Sequence, residues 1–525
     1  MAASPTSATG TSPASAATGK KGYFIGDNGE NYTFTFFLVA SLFLLWGLCN
    51  SMIDVMDKHF QDLLHLTKAQ SAWVQFAHYM GYTIMALPAG LVTRKMGYKG
   101  GIIFGLAFVS VGGFWFWPAT QISQFWAFLM GVCLIAMGLT VLETVANPYT
   151  TVLGPKEYGA FRINLAQTFN GVGWIFGPFL GAQFFYAVGG AEAANKTLYI
   201  PYVGIGFIVL VLAALFFFSS VPEIKTKDEY HTDDATAEVA AADRTTNKGL
   251  SFALMFLGAS VLAFSAYAIL NFVLGMGVPA VAFLVPLGVA GVALWMFAQK
   301  LTSHSIWAHP HFSAATLAQF VYVAAQAGIF SFFINYMIAE VPSVSENLVN
   351  SWLLKGGAEQ RGDSWFINEK GAATLQGGLG FALFFLGRLT GSALLRKVSA
   401  HRALGTYALI SMLMCVIVVL KIGWLSVLGV LGTFFFMSIM FPTIFALGIH
   451  GLGPDSKKKA AAFIVMSITG GALMPKLMGH LGDVYNMSVA FMMPLACFAL
   501  IALYGFLWPK LSQSEGLSAV PSGGH

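Results

Sequence analysis

Charged residues are scarce in this sequence of 525 residues. Asp, Glu, Lys and Arg make up 10% of it, whereas hydrophobic residues make up 57%. A soluble domain carries roughly a quarter charged residues. No soluble core of this size could use so much apolar surface, but a lipid bilayer is itself an apolar solvent. The composition therefore excludes an ordinary soluble protein and predicts a chain embedded in a lipid bilayer.

Cysteine is also rare, and the motifs of membrane enzymes and pumps are missing. Each of the four cysteines lies in an apolar run, and no two have CxxC spacing. This pattern indicates neither a disulfide framework nor a metal site. The sequence has no Walker A motif and no nucleophile elbow. We therefore expect a protein that is not an enzyme, with no catalytic residues, no bound metal and no nucleic-acid partner.

Long apolar runs are what the sequence has instead. A span of the hydrocarbon core needs roughly 20 apolar residues, and fourteen such runs follow one another between residues 33 and 508. They predict two six-helix halves plus two inserted helices. The predicted segments are a disordered N-terminal tail (1–31), the first half (32–221), a cytoplasmic linker (222–248), the inserted helix pair (249–300), the second half (301–510) and a disordered C-terminal tail (511–525).

The distribution of basic residues predicts the orientation of the chain. Twenty of the 28 Lys and Arg residues fall on the side of the N-terminus and seven on the other side. Because basic residues are retained in the cytoplasm, we expect a multi-pass protein of the inner (plasma) membrane with both termini cytoplasmic. Gly-plus-basic turns stand at corresponding places in the two halves, which is typical of transporters built from repeats. Their basic residues, predicted to belong to gating loops, are Arg94, Lys95, Arg388 and Arg396.

Ionisable residues inside apolar spans are candidate functional residues by default. Glu143 lies among apolar residues, with Asn147 one turn further on and no Lys or Arg within two turns. Burial disfavours a charged carboxylate, so Glu143 is a candidate for binding and releasing a proton. The alternative is a structural hydrogen bond between helices. In the first span, Asn50 and Asp54 share one helix face, and Asp54 is either functional or an interfacial carboxylate in water.

Other polar and aromatic residues of the spans are weaker candidates. The polar ones suit either hydrogen bonds between helices or contact with a polar solute, and the aromatic ones are candidates for stacking on a solute. Lys476 would face a cavity, pair with a carboxylate or extend its ammonium group to water. The remaining candidates are Asn164, Gln167 and Asn170 in the fifth span, Gln326 and Asn335 in the first span of the second half, and the rings of Trp46 and Phe330.

Several segments resemble the fucose permease branch of the major facilitator superfamily. Residues 44–54 (LLWGLCNSMID) are similar to its first helix. Residues 142–155 (LETVANPYTTVLGP) and 161–170 (FRINLAQTFN) are similar to its fourth and fifth helices, and 442–449 (PTIFALGI) with 463–466 (FIVM) to its second half. The resemblance implies an all-α membrane protein with the major facilitator fold, here two six-helix halves plus two inserted helices.

The resemblance also implies a function, which is proton-coupled uptake of a monosaccharide by alternating access. In that family the positions of Glu143 and Asp54 line the central cavity, the first as the protonation site and the second in sugar binding and coupling. Asn50 and Gln167 would hydrogen-bond sugar hydroxyls. H⁺ would be the coupling ion, with no other cofactor. A Na⁺-coupled carrier or a uniporter of the same fold remains an alternative, as does a sugar sensor that does not transport.

Three positions depart from the family pattern. Thr93 stands where the superfamily usually has an acidic residue before its basic pair. Asn335 stands where the fucose permease itself has an arginine, and Lys476 stands where an apolar residue is expected. The last two departures favour a hexose such as glucose, galactose or mannose over fucose. We expect a monomer whose partners are the monosaccharide and the lipid bilayer.

Overall fold

The fold is taken from a computed structural model of the whole chain. It describes residues 22–26, 29–63, 73–185, 198–223, 248–273, 275–301, 305–350 and 357–513. Within these ranges, the side chains of some short segments, 53–63 and 475–476 among them, are not described. Most of the predicted linker, residues 224–247, also lies outside the described residues.

Helices joined by short connections make up the first half and the inserted pair. The helices of the first half are α1 (Thr33–Leu63), α2 (Trp73–Ile122), α3 (Phe125–Val152), α4 (Gly159–Phe185) and α5 (Tyr199–Phe218), with a 3₁₀ turn at Lys156–Tyr158. The inserted pair consists of α6 (Lys248–Ala268), a π turn at Ile269–Val273 and α7 (Ala280–Gln299). The backbone of α2 breaks at Gly97, where φ is 72° and ψ is −175°.

The second half contains more breaks and a small sheet. Its helices are α8 (Pro310–Ala339), α9 (Glu346–Val349), α10 (Glu369–Thr374), α11 (Phe381–Leu394), α12 (Ala400–Val419), α13 (Trp424–Met437), α14 (Met440–Gly448), α15 (Pro454–Met466), α16 (Gly470–Val484), α17 (Met487–Ala490) and α18 (Met492–Gln513). A π turn at Leu375–Gly380 joins α10 to α11, and 3₁₀ turns lie at Ile306–Ala308 and Ser467–Thr469. Between α9 and α10, β1 (Ala358–Arg361) pairs antiparallel with β2 (Ser364–Ile367). No pattern in the sequence predicts this hairpin.

Twelve helical stretches of the described residues are long and apolar enough to cross a membrane. One of them, Phe76–Ile122, has 47 residues. It is about 70 Å long, enough to cross a hydrocarbon core of about 30 Å twice. α4, with 27 residues, is long enough for a further crossing. The protein is thus an all-α, multi-pass membrane protein, and the structure is consistent with the predicted fourteen spans.

The two halves meet at the face of the bundle where α1 begins, which we call the N-terminal face. Near this face, a Cβ atom on Gly90 would lie 2.7 Å from the Cβ of Ala462, so the backbones approach closely. Further in, the hydroxyl oxygens of Thr83 and Thr469 lie 3.0 Å apart. These contacts join a helix of the first half to helices of the second half, so the halves are closed together at the N-terminal face.

The described residues before α1, 22–26 and 29–32, pack against the bundle, although most of them fall within the predicted tail of residues 1–31. Ile25 pairs with Asn31 in an isolated β-bridge, and the Tyr23 ring lies edge-on to the Tyr158 ring with centroids 4.8 Å apart. Aromatic contacts of this kind stabilise a short segment that composition alone makes look unstructured. At the other end, α18 continues to Gln513, past the predicted start of the C-terminal tail at 511.

A close crossing of α1 and α4 depends on two glycines. A Cβ on Gly47 would overlap the carbonyl oxygen of Asn170, and a Cβ on Gly173 would overlap that of Leu44. We expect Gly47→Ala to force these helices apart and to destabilise the protein by about 1–3 kcal/mol, measured as a lower unfolding temperature in detergent. Gly204→Ala is the control, because nothing lies within 4 Å of its added methyl. Equal shifts in both variants would contradict the interpretation.

Candidate functional site

Glu143 lies at the centre of a buried polar cluster. It is 4% exposed, and its Oε2 atom has no hydrogen-bond partner among the described residues. It belongs to none of the ion pairs formed within the described part of the chain. Its carboxyl group interacts electrostatically with the side chains of Tyr82, Asn147, Trp46 and Arg388. A buried carboxyl group without an ion pair is more stable with a proton bound than as a charged carboxylate. Whether Glu143 holds a proton therefore depends on the polar groups around it.

Trp46, Asn50 and Tyr82 form one side of this cluster. Trp46 Nε1 donates a hydrogen bond to Tyr82 Oη, and Asn50 Nδ2 donates to the Trp46 carbonyl oxygen at 2.8 Å. Trp46 and Asn50 are one turn apart on α1, so they share a helix face, whereas Tyr82 comes from the first part of α2. Groups from α1 and α2 thus meet the carboxyl group of Glu143 on α3.

Gln167, Asn170 and Arg388 form the opposite side and join the two halves. Gln167 Nε2 donates to Asn147 Oδ1 at 3.3 Å. Arg388 Nη1 donates to the backbone oxygen of Gln167 at 2.8 Å, to Gln167 Oε1 at 3.2 Å and to Asn170 Oδ1. Arg388 Nε donates to the Ser438 carbonyl oxygen at 3.0 Å. A hydrogen-bonded path therefore leads from Asn147, one turn from Glu143, into the second half.

Several buried amide and hydroxyl atoms around Glu143 are left without partners. Asn164 Nδ2 donates to Thr443 Oγ1 across the halves at 3.1 Å, but Asn164 Oδ1 has no partner among the described residues. Among the described residues there is also no hydrogen-bond partner for Asn147 Nδ2, Asn170 Nδ2 or Thr144 Oγ1. Buried polar atoms are usually hydrogen-bonded, so a set of unpaired donors and acceptors suits a ligand rich in hydroxyl groups.

Aromatic rings border the same region. The Trp46 and Trp174 rings lie 6.5 Å apart, and Trp174 lies 5.9 Å from Phe330 and 5.3 Å from Phe381. Phe330 also packs 4.9 Å from Phe434. Phe330 is therefore held among four other rings, since Phe381 and Phe384 also pack against it. It is half-buried, so only part of its surface is open to a solute.

The predicted gating residues separate into two groups. Arg94 and Lys95 are exposed at the N-terminal face, and Arg396 lies in the turn after α11, 5.6 Å from the Tyr23 ring. Arg388 is not in a loop, which corrects its predicted place. It lies within α11 and is 2% exposed, because this helix continues to Leu394 and carries Arg388 into the interface between the halves.

The remaining predicted residues are not joined to the cluster by described contacts. On α8, Gln326 is half-buried and Asn335 is exposed. The side chains of Asp54 and Lys476 lie outside the described residues, and their roles stay predictions.

Several residues of the site were not found from the sequence, among them Tyr82, Trp174 and Thr443. Tyrosine and tryptophan are common at the water interfaces of membrane proteins, so neither ring carries a clear signal in the sequence. Thr443 lies in a segment used to identify the resemblance, but its pairing with Asn164 joins residues 279 positions apart.

The sequence and the fold are similar to those of known transporters. Residues 33–344 match the sequence profile of the Major Facilitator Superfamily. The chain is 30% identical to the L-fucose-proton symporter of Escherichia coli, covering 90% of this chain and 93% of that protein. It is 27% identical to a glucose/galactose transporter of Brucella abortus, covering 92% and 95%. The crystal structure of FucP in the outward conformation matches it with a TM-score of 0.64 and 30% identity, covering 91% and 99%.

Proposed function

Because the chain belongs to the Major Facilitator Superfamily and, within it, to the family of fucose and glucose/galactose transporters, we propose that it imports a monosaccharide together with a proton by alternating access. The observation that carries this proposal is Glu143, buried without an ion pair beside the contact between the halves. The names of the relatives, L-fucose-proton symporter and glucose/galactose transporter, support the same substrate class and coupling ion.

The charges at the N-terminal face support a cytoplasmic position for it. Arg94, Lys95 and Lys397 are exposed there, as the retention of basic residues in the cytoplasm predicts. With the halves in contact at this face, the route to the cytoplasm is closed. Sugar would then enter from the outside of the membrane, and both termini of the chain would be cytoplasmic.

In the proposed cycle, Glu143 carries the proton and the amide side chains of the cluster bind the sugar. Glu143 takes up a proton from outside, which removes a negative charge that would oppose closure around the sugar. Asn50, Gln167 and the unpaired amides of Asn147 and Asn170 hydrogen-bond sugar hydroxyls. The halves then separate at the N-terminal face, sugar and proton leave to the cytoplasm, and the empty carrier returns.

We expect uptake in proteoliposomes to follow a pH gradient. With the inside alkaline, labelled glucose should accumulate, and a hundredfold excess of the preferred hexose should reduce its uptake at least tenfold. Glucose, galactose, mannose and fucose form the competition panel, and sucrose is the control that should not compete. Accumulation driven by a Na⁺ gradient at equal pH would support the Na⁺-coupled alternative, and equilibration without accumulation would support a uniporter. No sugar uptake at all would contradict the proposal.

A further inference from the structure

One ion pair joins the two halves at the N-terminal face. Lys458 Nζ pairs with Glu223 Oε1. Glu223 follows α5 at the end of the first half, whereas Lys458 lies in the second turn of α15 in the second half. The other ion pairs of the described residues each join two residues of the second half. This pair is therefore formed across the boundary that alternating access must open.

The lysine of this pair is buried, although it carries a charge. Lys458 is 5% exposed, and its ammonium group lies 4.9 Å from the centre of the Tyr98 ring. An ammonium group removed from water needs a compensating charge or ring face. The Glu223 side chain is 43% exposed, so it can be altered without opening a cavity. Without the Glu223 carboxylate, the buried Lys458 ammonium group would keep only the Tyr98 ring face to compensate its charge.

Glu223 is held in place by backbone contacts. The Tyr98 backbone N–H donates to Glu223 Oε2 at 2.8 Å. Gly97 adopts the left-handed φ of 72° that turns the chain there, and a Cβ on Gly97 would lie 2.8 Å from Glu223 Oε2. Tyr149 Oη donates to the carbonyl oxygen of Pro222 at 2.7 Å and stacks on the Tyr98 ring. The carboxylate is thus fixed beside the turn within α2, facing the second half.

The turn within α2 provides no carboxylate of its own. Thr93 is fully buried, and its hydroxyl group donates to the Ala89 carbonyl oxygen of the same helix at 2.7 Å. Arg94 and Lys95, which follow it, are basic and exposed. Glu223, which is distant in sequence, therefore supplies the negative charge that meets Lys458.

We infer that Glu223 and Lys458 form a latch that keeps the N-terminal face closed and that separates each time this face opens. The inference rests on the proposed alternating access, since it needs the two halves to move apart. The latch is strong because the Lys458 side chain is buried. When Glu223 is neutralised, the closed form loses the negative charge that compensates the Lys458 ammonium group. The latch therefore sets the balance between the closed and open forms of this face.

Distances between spin labels on the two halves test the latch. The labels are placed at Met96→Cys and Lys397→Cys, two exposed positions at the N-terminal face, in a background with the four native cysteines replaced by alanine. We expect the parent protein to give mainly one short distance. Glu223→Gln should raise the population of the longer distance at least fivefold, and the charge swap E223K with K458E should restore the short one.

Glu340→Gln is the matched control. Glu340 forms an ion pair with Lys421 at 2.7 Å, with one side chain nearly buried and the other half-exposed, but both residues belong to the second half. Its removal should leave the label distance unchanged. If Glu223→Gln gives the parent distribution, or if Glu340→Gln shifts it equally, the latch is wrong.

Two features keep this test independent of folding and of transport. Lys458→Gln serves as a second variant that should shift the distances in the same direction as Glu223→Gln, and a lack of shift in both would overturn the inference. The distances are measured without sugar. A protein that shows the latch and takes up no sugar would therefore count against the proposed function alone.

Discussion

Replacing Glu143 by glutamine is expected to abolish proton-driven accumulation of sugar while leaving exchange of sugar across the membrane nearly intact. Glutamine has the shape of the protonated carboxyl group but cannot release a proton. The side chain is buried, and its Oε2 atom has no partner among the described residues, so the neutral amide meets no ion pair that it would break. The variant should behave as a carrier fixed in its protonated form.

The measurement compares two assays in the same proteoliposomes. With an imposed pH gradient, we expect the inside-to-outside ratio of labelled sugar to fall to about one in Glu143→Gln. Exchange of labelled for unlabelled sugar should stay within about threefold of the parent. The substitution would slow exchange only if it removed an interaction that stabilises the transition state of transport. Exchange by the variant should also become independent of pH, because its titrating group is gone.

Glu340→Gln is a suitable control for this variant too. It removes a carboxylate that forms an ion pair with Lys421 and accepts a hydrogen bond from the backbone N–H of Met487, far from Glu143. Accumulation should survive in this control. Accumulation that survived in Glu143→Gln would remove Glu143 from proton coupling, and loss of both accumulation and exchange would indicate a structural hydrogen bond in its place.

Replacing Arg388 by methionine is expected to reduce both exchange and accumulation at least a hundredfold. The guanidinium group bonds Gln167, Asn170 and the Ser438 carbonyl oxygen from a position that is 2% exposed, and it lies 4.4 Å from the centre of the Phe384 ring. Methionine fills the space but leaves these buried acceptors unpaired, at about 1–3 kcal/mol each. A hundredfold loss of rate corresponds to about 2.7 kcal/mol.

Arg388→Lys separates charge from geometry. Lysine keeps the positive charge but lacks the planar group that reaches several acceptors at once, so we expect its transport rate to lie between those of the parent and of Arg388→Met. Unfolding temperatures of the purified variants in detergent show whether the protein still folds. Transport by a folded Arg388→Met protein within threefold of the parent would contradict this role.

The family segments could be recognised from the sequence because they are continuous. Glu143 and Asn147 lie within one such segment, and an isolated carboxyl group among apolar residues is visible without any structure. Arg388 was also visible, but its basic neighbours in the following turn suggested a loop. The error arose from grouping Arg388 with those neighbours, because the apolar run itself extends past Arg388 to the end of α11.

The small elements at the edges of the bundle escaped prediction for another reason. The strands Ala358–Arg361 and Ser364–Ile367 are short and lie in a polar connection, so they have no run of alternating apolar residues that would reveal them. The residues before α1 are held by a few aromatic contacts with the turn between α3 and α4. Such contacts depend on what lies nearby in space, which local composition does not contain.

By itself, the sequence determined the class of the protein, because scarce charge and repeated apolar runs have one physical solution, a bundle of helices in a bilayer. It also determined the buried carboxyl group and the family segments. Only the tertiary structure decided which groups meet across the two halves. Arg388 reaches Asn170 over 218 positions and Lys458 reaches Glu223 over 235. Pairs so distant in sequence are brought together only by the packing of whole helices, and no local pattern of residues encodes that packing.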